Sequence, residues 1–200
     1  MMAAMKDAVA QLLGDRDAWA GGNYQLAIRL GAPNDAVLQT ATRALLRAAG
    51  IEGLWRNAPD HPERIEGDTW TLQPDDDHLY GVVELPSGQS VICGVMAIRY
   101  EGDDDWLYLD LPLAALGRLD ARIGAYPFGA DGEASSLAWR KPLDEWLAQL
   151  AFEVRGAVSF KLALIGVEVD EDEVSVPTPL RKDRWVSAVM ANGTYQPATC

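Results

Sequence analysis

The chain has 200 residues, 48% of them hydrophobic and 24% charged, enough apolar material to build one sizeable core. Its 30 Asp and Glu outnumber 17 Lys and Arg, for a formal net charge of −13. That balance lacks the basic stripe that nucleic acid demands and is repelled by an anionic membrane surface. A basic protein or a cation is the electrostatically matched partner.

Residues 1–20 are expected to form a short helix and a loop, an appendage to a single domain spanning 1–200. Met2, Met5, Val9, Leu12 and Leu13 recur near helical spacing and Gly14 ends the run. The opening "MMAAMKDAVAQLLGDRD" has one lysine and no long apolar stretch, so it does not read as a secretory leader. No run approaches the ~20 apolar residues of a membrane span, and a soluble, cytoplasmic protein is expected.

Residues 24–30 alternate, with Tyr24, Leu26, Ile28 and Leu30 on one face, which predicts a half-buried strand. A helix follows: Asn34 caps it, Asp35 sits in its first turn, and Val37, Leu38, Ala41, Leu45 and Ala48 form its stripe. Gly50 stops it. "IEGLWRNA" reads as a strand, giving strand–helix–strand over residues 24–57, and a helical crossover would make those two strands parallel neighbours, or nearly so. "PDHPERIEGD" reads as an exposed loop and "TWTLQ" as another strand. Strands 78–85, 89–100 and 106–111 then form a meander with Pro86-Ser87-Gly88 as its first turn.

Two aspartate triplets, Asp75–Asp77 and Asp103–Asp105, precede meander strands. A calcium loop needs glycine at its sixth position and glutamate at its twelfth. The first triplet offers Tyr80 and Pro86 there, the second Tyr108 and Ala114. Both therefore read as strand-entry turns, where carboxylates bond nearby N–H groups and stay in water. In the strand after the second triplet, Leu107, Leu109 and Leu111 face one way and Trp106, Tyr108 and Asp110 the other.

Residues 112–142 read as a long connection, helical for a turn or two near 113–119. It carries Tyr126, Phe128, Trp139 and Arg140, aromatic and arginine residue types that anchor interfaces, with Asp131 nearby, and these five form the candidate binding surface. The competing expectation is that Phe128 and Trp139 cover the core. A second strong helix starts at Pro142, with Leu143, Trp146, Leu147, Leu150 and Val154 as its stripe. "SFKLALIGVEV" (159–169) reads as a strand buried on both faces, and residues 184–200 as a terminal hairpin turning at Asn192-Gly193.

Catalytic motifs are missing. His61, His78 and Cys93 lack zinc-ligand spacing, and Cys93 sits in an apolar run that favours an inert thiol. No G-x-S-x-G, no phosphate-cradling glycine loop and no cofactor motif occurs. The expected fold is α+β: a single mixed, mostly antiparallel sheet with two main helices packed on one face. The expected function is non-catalytic, an acidic bacterial protein of the immunity or inhibitor kind that binds a basic protein, with no metal and no cofactor. The alternatives are a carboxylate- or divalent-cation-dependent hydrolase near Asp103, Asp104 and Asp131, and a structural protein whose terminal hairpin supplies an edge strand for self-assembly.

Overall fold

The computed structural model describes residues 2–51, 53–67, 70–75, 78–99, 103–123, 132–169 and 186–198. Helix α1 (Met2–Leu13) is followed by a 3-10 turn (Arg16–Trp19), strand β1 (Asn23–Gly31) and helix α2 (Asp35–Ala48). Next come β2 (Trp55–Arg56), β3 (Glu63–Arg64), β4 (His78–Glu84), β5 (Ser90–Arg99) and β6 (Asp105–Pro112). Helices α3 (Leu113–Leu119) and α4 (Gly132–Ala157) precede β7 (Leu162–Val167), β8 (Ser187–Met190) and β9 (Tyr195–Gln196). Among the described residues the strands form one open sheet in the order β3-β2-β4-β5-β6-β1-β7-β8-β9, and every ladder is antiparallel. The α+β class is as expected; the mixed sheet is not.

The crossover is the main correction. β1 and β2 do run in the same direction, but β6, β5 and β4 lie between them. The meander explains this: β6 returns beside β1 over eight paired positions, an adjacency that outcompetes the two-residue β2 for that edge. β1 is thus central, and the middle of its polar face is buried too, with Gln25 and Ala27 at 9% and 1% exposure. The strand expected at 69–73 is absent from residues 70–73, and the expected loop 59–68 contributes the short β3.

Helix α2 forms for the local reasons given above. The Asn34 side chain accepts from the Val37 N–H at 3.2 Å, and Leu38, Ala41, Leu45 and Leu46 are buried. Helix α4 starts ten residues earlier than its proline suggested, at Gly132. Pro142 lacks the N–H that would bond the Ala138 carbonyl, and Ala138 is exposed, so water can take that bond. Trp139 and Arg140 therefore belong to a helix rather than a loop. α2 packs on α4, and α4 on β1, β7 and β8. One large cluster unites their stripes with Tyr24, Leu26, Ile28, Val95, Leu107, Leu109 and Ile165. A smaller one, including Ala27, Trp106, Tyr108, Leu164 and Ala188, occupies the opposite sheet face, since Ala27 pairs with both Tyr108 and Leu164. The terminal hairpin turns at Gly193, whose φ of +84° suits glycine, and the Gly193 N–H bonds the Met190 carbonyl at 2.8 Å.

Packing under β4 leaves no slack. A Cβ on Gly81 would lie 2.6 Å from Ile51 Cγ2, a methyl on a stiff β-branched side chain. Gly81→Ala is expected to cost about 1–3 kcal/mol by overpacking. A shift of the urea midpoint at constant slope would register it; an unchanged midpoint would contradict this packing.

Candidate functional site

One row of residues crosses five strands on the face that carries Trp106 and Tyr108. Tyr80 on β4 pairs with Gly94 on β5, Gly94 with Asp110 on β6, Asp110 with Gln25 on β1, and Gln25 with Gly166 on β7. Gly94 leaves an opening between two large neighbours. A Cβ there would stand 3.8 Å from the Asp110 Cβ, 3.9 Å from Trp19 Cζ3 and 4.0 Å from Tyr80 Cδ1. Beside this gap lies a cleft of about 210 Å³, lined by Trp19, Asn23, His78, Tyr80, Met96 and Asp110.

Its walls are aromatic. Trp19 meets Tyr80 edge to face at 5.3 Å and 87°, and is fixed by an indole N–H bond to the Leu13 carbonyl at 2.9 Å. The Tyr80 hydroxyl stands 3.3 Å from His78 Nδ1, two residues along the same face of β4. Burial raises the Tyr80 pKa, with Asp110 and Asp60 adding to the effect, so its hydroxyl stays protonated at neutral pH.

Its floor is acidic. Asp110 is 8% exposed. Its Oδ1 accepts from Gln25 Nε2 at 2.9 Å, and Oδ2 receives no hydrogen bond among the described residues. Gln25 is itself anchored, accepting from the Val169 N–H at 3.0 Å. Burial, reinforced by the Glu168 carboxylate and opposed by the Gln25 bond, pushes the Asp110 pKa up to about 6. Glu168 adopts φ +41° and accepts from the Asn23 N–H at 2.5 Å, and its Oε1 would stand 2.7 Å from a Cβ on Gly22. A left-handed glutamate is held by its surroundings rather than by its own preference.

The other buried acids are compensated. Asp104 accepts from Arg29 Nε at 2.5 Å and from Lys161 Nζ at 2.7 Å; Asp105 accepts from Arg99 Nε at 2.6 Å and from the Asn34 N–H at 3.0 Å. Burial pushes both carboxyls up, but these bonds outweigh it and hold both below the ordinary aspartate value. Asp103–Asp105 thus do introduce a strand, as expected, but two of the three are buried ion-pair partners rather than solvated turn residues. Asp75 adopts φ +67° in a turn and accepts from the Arg99 N–H at 3.2 Å; Asp76 and Asp77 lie outside the described residues. Among the described residues no group of three His, Cys, Asp or Glu is placed to hold a metal. The fourth buried acid, Asp144 on α4, takes hydrogen bonds from the Tyr24 hydroxyl and from Ser187 Oγ, the latter at 2.7 Å, with Arg140 Nε donating to the Tyr24 oxygen at 3.1 Å. Burial raises the pKa of Asp144, and burial with the Asp144 charge holds the Tyr24 hydroxyl well above its usual range.

Of the residues singled out from sequence, Trp139 and Arg140 are 6% and 4% exposed. Trp139 packs edge-on to Tyr24 at 5.5 Å, and Arg140 joins the Asp144 network. Tyr126, Phe128 and Asp131 lie outside the described residues. Cys93 is fully buried, and burial pushes its thiol up to about 12, which suits an inert residue. The cleft residues were not singled out. The signals were present: a lone glycine inside the apolar strand "SVICGVMAI" marks close approach, and Asp110 is the one acid in the run Trp106–Leu111, whose other residues are Leu, Tyr and Trp.

No protein-family model, no curated protein and no solved structure matches this chain. Among the described residues no helix is long and apolar enough to cross a membrane.

Proposed function

We propose that this protein is a non-catalytic, cytoplasmic binding protein that receives a basic protein partner, in the manner of an immunity or inhibitor protein, with the Asp110 cleft as the point of engagement. One observation carries the reading. Of the four buried aspartates described, Asp104, Asp105 and Asp144 each have a cationic side chain within their interactions, and Asp110 has none. A buried carboxylate without a cation is electrostatically incomplete, and a lysine or arginine from a partner would complete it. The formal charge of −13 would steer such a partner toward the molecule.

The test is capture of a basic protein from lysate on immobilised protein. Retention at roughly 50 mM salt, falling as salt rises through the range where the Debye length shortens, is the expected result. The Asp110→Asn variant should lose most of it. Retention that ignores both salt and Asp110 would overturn the proposal.

A hydrolase is the second reading, favoured by the same carboxyl: an acid with a pKa near 6 beside a second carboxylate, Glu168, has the form of a general acid. Binding ranks first because Oδ2 takes no hydrogen bond from another described side chain or backbone group, and a cation supplies a donor.

A further inference from the structure

We propose that the group bound in the Asp110 cleft is a guanidinium rather than an ammonium. The inference rests on the binding reading above and names the chemistry of its ligand. An ammonium is a compact, strongly hydrated charge that needs several acceptors arranged around it. The cleft floor offers one carboxylate with one oxygen already committed to Gln25. Around it the lining is mostly ring and hydrocarbon, with the Trp19, Tyr80 and His78 rings, the Met96 thioether, Val95 and Pro59, and Asn23 as a further polar side chain.

A guanidinium fits that composition. It is planar and weakly hydrated, it stacks on aromatic faces, and its rigid fork of N–H donors can reach a carboxylate while the plane lies against a ring. Among the described residues three arginines lie against aromatic rings, Arg140 over Tyr24 at 6.0 Å being one, and Arg29 combines this with a carboxylate. Arg29 lies 5.8 Å from the Trp106 ring centroid while its Nε bonds Asp104, and Arg43 lies 5.3 Å from that of Trp70. In the cleft the acid and the rings are present and the cation is not supplied by the described chain. The source is either an arginine side chain of a partner protein or a small guanidino compound.

Calorimetric titration separates these outcomes. The probes are an arginine tripeptide amide, the lysine tripeptide amide of equal length, and agmatine, each against the wild-type chain and Asp110→Asn at pH 7.5. The expected result is binding of the arginine peptide roughly tenfold or more tighter than the lysine peptide, lost in Asp110→Asn. Tyr80→Leu, which removes a ring and leaves the carboxylate, should erase most of the preference for arginine while lysine binding persists. Agmatine binding as tightly as the peptide would support a small guanidino ligand; much weaker agmatine binding would support a partner's arginine. Equal affinities for the arginine and lysine peptides, both lost in Asp110→Asn, would overturn the guanidinium assignment and leave the basic-partner reading standing. Binding insensitive to Asp110→Asn would overturn both.

Discussion

Asp110→Asn is expected to raise the stability of the protein above pH 6 while abolishing its capacity to hold a cation. The Asp110 pKa rises from the ordinary 3.8 to about 6 on folding. A carboxyl raised in this way stabilises the fold below its unfolded pKa and loses that contribution as the pH climbs through the folded value. The wild-type chain should therefore lose roughly 3 kcal/mol from this group between about pH 4 and pH 7. Asparagine keeps an acceptor for Gln25 and carries no charge, so the variant escapes the loss. The difference between the two should be near zero at pH 4 and grow to roughly 5–10 °C in melting temperature at pH 7.5. Asp104 and Asp105, whose pKa values are lowered, lose stability on acidification instead, but they do so equally in both proteins and cancel in the difference. A difference flat from pH 4 to pH 8, or a wild type more stable at pH 8, would show that Asp110 is not a buried, uncompensated acid. A stabilising substitution that destroys binding is the pattern of a site retained for function at a cost in stability.

The opposite response is expected at Asp144. Its carboxylate takes hydrogen bonds from Tyr24 and Ser187 and faces Arg140 in the interior. Asp144→Ala deletes both acceptors, removes the negative charge facing Arg140 and leaves a cavity between α4, β1 and β8. Breaking such an arrangement costs about 3–5 kcal/mol, on the order of 10 °C in melting temperature for a chain of this size. Ser187→Ala should cost only about 1 kcal/mol, because Asp144 retains the Tyr24 bond. The residual effect should fall on the C-terminal segment, whose Ala198 N–H bonds Ser187 Oγ at 2.8 Å. Asp144→Asn should fall between the two, since it keeps the shape and one acceptor. Equilibrium denaturation of the three variants orders them; an Asp144→Ala loss below about 1 kcal/mol would mean that the network does not hold α4 to the sheet.

The two acids show why the candidate site was harder to read than the fold. Both are aspartates in apolar surroundings. Asp144 lies next to Leu143 on a helix stripe, and Asp110 between Leu109 and Leu111 on a strand. Alternation correctly sends Asp110 to the face opposite the leucines, and helical spacing correctly places Leu143, Leu147, Leu150 and Val154 together. Neither pattern says which acid meets an arginine. Arg29 reaches Asp104 from 75 positions away and Lys161 reaches it from 57, and no spacing rule spans such distances. Trp139 and Arg140 were misplaced for a related reason. Proline commonly marks a helix start, and here the helix runs through it, with the residue whose carbonyl loses its partner, Ala138, exposed.

By itself the sequence determined what depends on neighbours along the chain: the capped α2 helix, the meander, the alternating faces of β1 and β6, the hairpin at Gly193, and the inert environment of Cys93. Cap hydrogen bonds, side-chain periodicity and turn conformations are local free energies, and they act before distant parts of the chain meet. Only the tertiary structure decided that β6 rather than β2 lies beside β1, that Gly94 opens a cleft, and that one buried acid lacks a cation. Desolvation and ion pairing depend on distance through space, and strands far apart in sequence set that distance once they pack.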